Sequence, residues 1–236
     1  MTVLALDKID AGYGETSILH GVSMQVDPGE VVVIIGPNGA GKSTAMKAIF
    51  GMLNITAGQV TLAGQDITNM PPDRVVGEGV CYVPQVANIF PTLTVQENLE
   101  MGAYLRRDDI RPRMGEIFGM FPDLAEKRRQ AAGSLSGGQR QMVAMGRALM
   151  LAPKVLMLDE PTAGLSPKYR GEIFETVKTI NATGVPILMV EQNAKQALGI
   201  ADRAYVLVDG ENRIEGTGAD LLADREVARM FLGARG

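Results

Sequence analysis

Residues 31–44 read VVVIIGPNGAGKST, and this stretch constrains the fold more than any other. The run at 31–36 is continuously apolar and β-branched rather than alternating. A strand of that kind is buried on both faces, which places it inside a parallel sheet covered by helices. The loop that follows fits G-x-x-x-x-G-K-[ST] and opens a helical pattern with Ala45, Ala48, Ile49 and Met52 on one side. Strand, glycine-rich loop and helix is the context that gives this motif its meaning. The glycines let backbone N–H groups turn inward around phosphates, and the helix N-terminus adds partial positive charge. Gly36, Asn38, Gly39, Ala40, Gly41, Lys42, Ser43 and Thr44 are therefore candidate nucleotide-binding residues. Within them, Lys42 can reach the β- and γ-phosphates, and Ser43 offers a hydroxyl to Mg²⁺.

The rest of the chain fits around that core. KVLMLDE at 154–160 and VPILMVE at 185–191 are further short apolar strands, and GEIFETVKTI between them is an amphipathic helix. Strand–helix–strand with buried strands predicts a parallel α/β core. Before it, VLALDKIDAGYG, GVSMQVDPGE and later GQVTLAGQDIT alternate around Gly, Pro and Asp turns. That pattern predicts antiparallel strands. From about 92 to 150 the spacing becomes helical, with SGGQRQMVAMGRALML as the longest helix and Met142, Met145 and Met150 as core filler. The expected organisation is a single domain, 1–236. Residues 1–30 and 58–70 form an antiparallel β subdomain, 31–91 and 151–236 the α/β core, and 92–150 an inserted helical subdomain.

Composition limits the function classes. Length suits one sizeable α/β domain, and a net charge of −4 argues against a general nucleic-acid binder. The single cysteine, Cys81, excludes an internal disulfide and reads as a small core residue. MTVLALDKID carries acidic residues early and is expected not to be a secretory signal. No run reaches the ~18 apolar residues that span a bilayer; the best candidate is broken by Arg147, Pro153 and Lys154. EKRR at 126–129 reads as a solvated helix face.

Two further motifs carry chemistry. VLMLDE at 155–160 ends a buried strand in two carboxylates. Asp159 suits a Mg²⁺ held through its water shell, and Glu160 stands where a general base polarises an attacking water. LSGGQ at 135–139 places Ser136, Gly137 and Gly138 at the start of the long helix. It is either a second anion-binding helix start, serving a nucleotide held by another chain, or a plain capped helix start.

GPNGAGKST, LSGGQ and VLMLDEP in this order and spacing resemble the ATP-binding subunits of ABC transporters, over essentially the whole chain. The resemblance implies two cassettes dimerised head to tail, with each ATP between the phosphate loop of one and the LSGGQ segment of the other. It gives Ser136, Gly138 and Gln139 a γ-phosphate role in trans. Tyr13, in AGYG, resembles the aromatic that stacks on adenine. Gln85, in YVPQ, resembles the Gln that contacts Mg²⁺ and the attacking water. PTLTVQENL resembles the segment lining the groove where a membrane subunit docks. Two transmembrane permease subunits, a second ATPase subunit and, indirectly, a solute-binding protein are the implied partners, with the chain peripheral on the cytoplasmic side of the membrane.

Two positions depart from the family pattern. Ser166 stands where many members have Asp, and Gln192 where a γ-phosphate-bonding His is usual; the only histidine is His20. Gln donates and accepts hydrogen bonds but cannot become a cation. Slower but real hydrolysis is the expectation, and a non-hydrolysing nucleotide-sensing partner the alternative. GLSP, VEQNAKQAL, IADRAYVL and the ending MFLG resemble one of the two ATPase subunits of branched-chain amino acid importers, where Gln at this position is usual and the partner ATPase carries His. A urea or short-chain amide importer subunit is the close alternative.

Overall fold

The structure is a computed structural model that describes residues 2–86 and 88–231. The end of MFLG therefore lies outside the described residues. The chain begins with a hairpin, β1 (Leu4–Tyr13) and β2 (Thr16–Val26), and continues into β3 (Val31–Ile35) and α1 (Lys42–Ile49). Next come β4 (Ile55–Leu62), β5 (Gln65–Asp66), α2 (Pro72–Glu78) and β6 (Val80–Val83). Helices α3 (Val95–Gly102), α4 (Arg111–Met120), α5 (Pro122–Glu126) and α6 (Gly137–Leu149) follow. The last part alternates: β7 (Val155–Asp159), α7 (Pro167–Ala182), β8 (Ile187–Val190), α8 (Ala194–Leu198), β9 (Arg203–Val208), β10 (Glu211–Gly216), α9 (Gly218–Ala223) and α10 (Arg225–Phe231).

Two sheets result. One is antiparallel with order β2-β1-β4-β5; the other has order β10-β9-β3-β8-β7-β6. In the second, β3 runs parallel to β8 and β9, and β7 parallel to β6 and β8, while β10 returns antiparallel beside β9. The expected parallel α/β core is present, with an antiparallel edge that the reading of 203–216 did not anticipate. The hairpin turn at Asp209 and Gly210, both at positive φ, is its local cause.

β3 explains why its sequence does not alternate. Val31, Val33 and Ile35 enter one core with β7, β8, α6 and α7, while Val32 and Ile34 enter a second core beneath the antiparallel sheet and α1. Leu156 and Leu158 of β7, and Ile187 and Met189 of β8, divide from their neighbours in the same way. Strands with no solvated face leave only their ends accessible, so the chemistry gathers at the C-terminal ends of β3, β6, β7 and β8.

Some local expectations need correction. α1 stops at Ile49, and Gly51 at φ 73° turns the chain away. Met52 is consequently exposed instead of lying on the helix's buried side. β4 starts at Ile55, ahead of 58, because Ile55 and Ala57 pair with Ala11 and Asp10 across a bulge. Of EKRR, only Glu126 is helical; the other residues form a turn after α5. Met145 and Met150 are core residues with Met142 packed against them, and Cys81 is buried. Among the described residues no helix is long and apolar enough to cross a membrane.

Candidate nucleotide site

The loop between β3 and α1 is shaped by close backbone contacts. A Cβ on Gly36 would lie 2.3 Å from the Leu207 carbonyl oxygen, so β9 backs the loop directly. Gly39 and Gly41 sit at φ 86° and 93°, a region that costs other residues about 1–2 kcal/mol. Gly41 is the N-cap of α1 and offers no side-chain acceptor to its first turn. Those N–H groups face a cavity of about 270 Å³ lined by residues 38–44, Ile18 and Glu160. An uncapped helix start in a concave loop is an anion site. Lys42 folds back along it: Nζ donates to the carbonyls of Gly36 at 2.9 Å and Pro37 at 3.0 Å. Burial lowers the pKa of Lys42, while Glu160 and Asp159 oppose that shift.

Asp159 ends β7 beside this loop. Its Oδ1 accepts from Ser43 Oγ at 3.0 Å and its Oδ2 from the Tyr82 hydroxyl at 2.8 Å. Ser43 and Asp159, predicted as metal-site residues, therefore meet. Both offer hard oxygen donors, and among the described residues no cluster of three or more His, Cys, Asp or Glu side chains forms a cation cage. A site with few protein ligands beside a phosphate loop fits Mg²⁺, which keeps water and phosphate oxygens in its shell. Gln85 is placed elsewhere: its Nε2 donates to Glu160 Oε2 at 2.8 Å.

Glu160 takes a left-handed conformation, φ 47°, rare for a residue with a Cβ. Strain of this kind costs about 1–3 kcal/mol and collects at functional sites. Its amide is tied to Val190 O at 2.9 Å, which fixes the turn. The carboxylate meets two amides. Gln192 Nε2 lies 3.0 Å from Oε1 and 2.9 Å from Oε2, and Gln85 reaches Oε2. Glu160 borders both the phosphate-loop cavity and a second cavity of about 530 Å³ lined by Gln85, Thr162, Arg170, Glu191 and Gln192. Gln85, Glu160 and Gln192 were predicted from separate segments, and the fold brings them together.

Two contributors were missed. Tyr82 is one. The other is Glu191, 2% exposed, whose Oε1 accepts from Thr162 N and whose Oε2 accepts from the Thr162 hydroxyl, each at 3.0 Å. Gln192 N and Asn193 N also donate to Oε2, at 3.2 and 3.4 Å. Burial raises the Glu191 pKa and these donors oppose that shift. The signal was legible: LMVE ends a buried strand in an acid just as LMLDE does. Glu191 straps the loop after Glu160 to the loop carrying Gln192. Replacing Glu191 with Gln turns one acceptor into a donor among donors. Glu191→Gln is expected to destabilise the fold by about 1–3 kcal/mol, read from urea unfolding midpoints.

The remaining candidates lie apart. Tyr13 ends β1, 47% exposed, with its hydroxyl accepting from Lys47 Nζ at 3.2 Å. Ser136 caps α6 in a reciprocal box: Gln139 N donates to its Oγ, and Ser136 N donates to Gln139 Oε1, each at 3.3 Å. A Cβ on Gly138 would touch the Tyr169 ring at 3.2 Å, so the glycine lets α6 pack on α7. Among the described residues no hydrogen bond joins Ser136, Gly138 or Gln139 to the phosphate loop. Ser166 is the N-cap of α7 and makes no capping bond. His20 pairs with Ser17, and no hydrogen bond takes it to Glu160.

A phosphate loop on a parallel sheet, a strand-end Asp hydrogen-bonded to the loop's Ser, and an adjacent strained Glu define a nucleotide-hydrolysing cassette. Residues 19–163 match the family model described as ABC transporter. The chain belongs to that family, as an ATPase of its ATP-binding cassette class. It is 42% identical over 232 residues to the high-affinity branched-chain amino acid transport ATP-binding protein BraG of Pseudomonas aeruginosa, covering 98% of this chain and 100% of the relative. It is 42% identical over 228 residues to the probable branched-chain amino acid transport ATP-binding protein LivF of Archaeoglobus fulgidus, covering 96% and 97%. Among solved structures, an ATP-binding cassette of an ABC transporter in its ADP conformation superposes with a TM-score of 0.89 at 32% identity, covering 99% of this chain and 100% of that one. A dimeric cassette in a post-hydrolysis state, bound to ADP and Pi, gives 0.77 at 29% identity, covering 91% and 98%.

Proposed function

We propose that the chain hydrolyses ATP to drive uptake of branched-chain amino acids through two membrane permease subunits, working opposite a second, His-bearing cassette. The observation that carries hydrolysis is the Glu160 carboxylate, held by the amides of Gln85 and Gln192 at the border of the phosphate-loop cavity. The base is intact although the switch position has no histidine. Ser43, Asp159 and Gln85 would hold Mg²⁺, which would supply neutralisation of charge on the β- and γ-phosphates. Lys42 and the α1 N–H groups orient the phosphates, and Glu160 accepts a proton from the attacking water. The Tyr13 ring stacks on adenine. Ser136, Gly138 and Gln139 serve the γ-phosphate of a partner's ATP; the dimeric solved relative supports that arrangement.

A groove of about 410 Å³ between the α/β core and the helical segment supports docking to the membrane subunits. Phe90, Met101 and Tyr104 stand exposed along it, and the Arg147 guanidinium lies 5.1 Å from the centre of the Phe90 ring. An exposed apolar groove rimmed by charge suits an amphipathic helix. A solute-binding protein on the far side of the membrane would deliver the amino acid.

The test is steady-state ATP turnover by the purified chain with Mg²⁺, for wild type and Gln192→His, and uptake of labelled leucine against labelled urea with the permease subunits present. Turnover by wild type is expected. Gln192→His is expected to be about 5-fold faster, since a charged donor adds about 1 kcal/mol over a neutral one. Silence of wild type in both the free and the assembled state would overturn hydrolysis, and uptake of urea but not leucine would overturn the substrate.

A further inference from the structure

Tyr82 opens the YVPQ segment but was given no role there, yet its hydroxyl is one of the two donors on the Asp159 carboxylate, 2.8 Å from Oδ2. The placement follows from strand register. β6 is the edge strand, and Tyr82 pairs with Met157 of β7. Side chains two residues apart share a face of a strand, so Tyr82, Met157 and Asp159 project to the same side. Two residues of strand rise about 6.6 Å, close to the reach of a tyrosine side chain. The phenol therefore lies along the sheet and ends at the carboxylate. Its ring is held in direction by Phe50, just after α1, with centroids 5.2 Å apart and planes tilted by 42°.

We propose that Tyr82 is a positioning residue for the cation site: its hydroxyl holds Oδ2 of Asp159 and so fixes the orientation of the carboxylate beside Ser43. This rests on the metal role given above to Asp159 and Ser43. The two donors divide the carboxylate, Ser43 on Oδ1 and Tyr82 on Oδ2. A serine hydroxyl that contacts the cation does so through an oxygen lone pair and keeps its proton for Oδ1, so Ser43 is drawn to the ion and to the carboxylate at once. Among the described residues, Tyr82 is the one side-chain donor on Asp159 that is not itself assigned to the ion. Partners that orient metal-binding carboxylates typically change metal affinity or activity by about 10–100-fold when removed.

The experiment uses the whole chain and a non-hydrolysable ATP analogue, AMP-PNP. Equilibrium affinity is measured with saturating Mg²⁺ and in EDTA, for wild type and Tyr82→Phe. The phenylalanine keeps the ring and its Phe50 contact and removes only the hydroxyl. The ratio of the two affinities is expected to fall about 10-fold in Tyr82→Phe, with binding in EDTA unchanged. An unchanged ratio overturns the proposal. Loss of binding in EDTA as well also overturns it, because the hydroxyl would then support the fold rather than the carboxylate. A wild type whose nucleotide affinity ignores Mg²⁺ removes the metal role itself; a wild-type dependence untouched by Tyr82→Phe removes only the tyrosine's part.

Discussion

Glu160→Gln is expected to lower steady-state ATP turnover by about 10²–10⁴-fold, the usual contribution of a positioned general base, while leaving nucleotide binding intact. The amide keeps the size of the carboxylate and cannot take a proton from water. The site tolerates it: one oxygen remains to accept from Gln85 and Gln192, which both donate to Oε2 in the native arrangement. Only the contact of Gln192 with Oε1, 3.0 Å long, becomes donor against donor. The strained φ of 47° is unaffected, because Glu and Gln share the same Cβ geometry. Phosphate release gives the rate, and size-exclusion chromatography with MgATP gives the second readout. A base variant that binds but does not hydrolyse should accumulate as a nucleotide-bound dimer. An unchanged rate would mean that Glu160 is not the base.

The core was legible because its strands have no polar face. VVVII, VLMLD and ILMV lie with both faces buried, and continuous apolar runs announce that directly. The antiparallel edge was harder. β10 reads ENRIEG, mostly exposed and weakly patterned, and a solvated edge strand leaves little periodicity to find. Met52 failed for a related reason. Its spacing matched a helix face, but Gly51 ends the helix first, and a glycine at φ 73° outweighs periodicity.

The site divides along similar lines. Lys42, Ser43 and Asp159 were readable because local motifs specify them, and the structure confirms that Ser43 meets Asp159. Tyr82 and Glu191 lie inside quoted segments, YVPQ and VEQNAKQAL, but those segments assign them no role. Each works through a partner distant in sequence, 77 residues away for Tyr82 and 29 for Glu191. The strand-end acid at Glu191 could be read from LMVE, but the partners of both residues become visible when strand order places β6, β7 and β8 side by side. Gln192 is an intermediate case. Sequence marked the substitution, but only the geometry places its amide against both oxygens of Glu160.

Lys42→Ala is expected to weaken ATP binding by about 100-fold or more. Hydrogen bonds to a charged group contribute about 1.5–3 kcal/mol each, and two such bonds to phosphate oxygens correspond to at least about 3 kcal/mol. The ammonium is preorganised for that role. It is 5% exposed, anchored by the carbonyls of Gly36 and Pro37, and placed between the loop and the paired acids Asp159 and Glu160. Removing it leaves those carboxylates facing the phosphates without a compensating charge, so repulsion adds to the lost bonds. The fold should survive, because the loop is also held by Gly210 N on Ala40 O and by the packing of Gly36 on Leu207. Isothermal titration with AMP-PNP reads the affinity, and the thermal midpoint without nucleotide checks the fold. Lys42→Arg separates charge from fit: the guanidinium keeps the charge but is larger than the buried site admits, and it should restore less than a tenth of the lost affinity. Full recovery with arginine would mean that the loop needs only a positive charge, and that the fold-back of Lys42 onto Gly36 and Pro37 does not matter for binding.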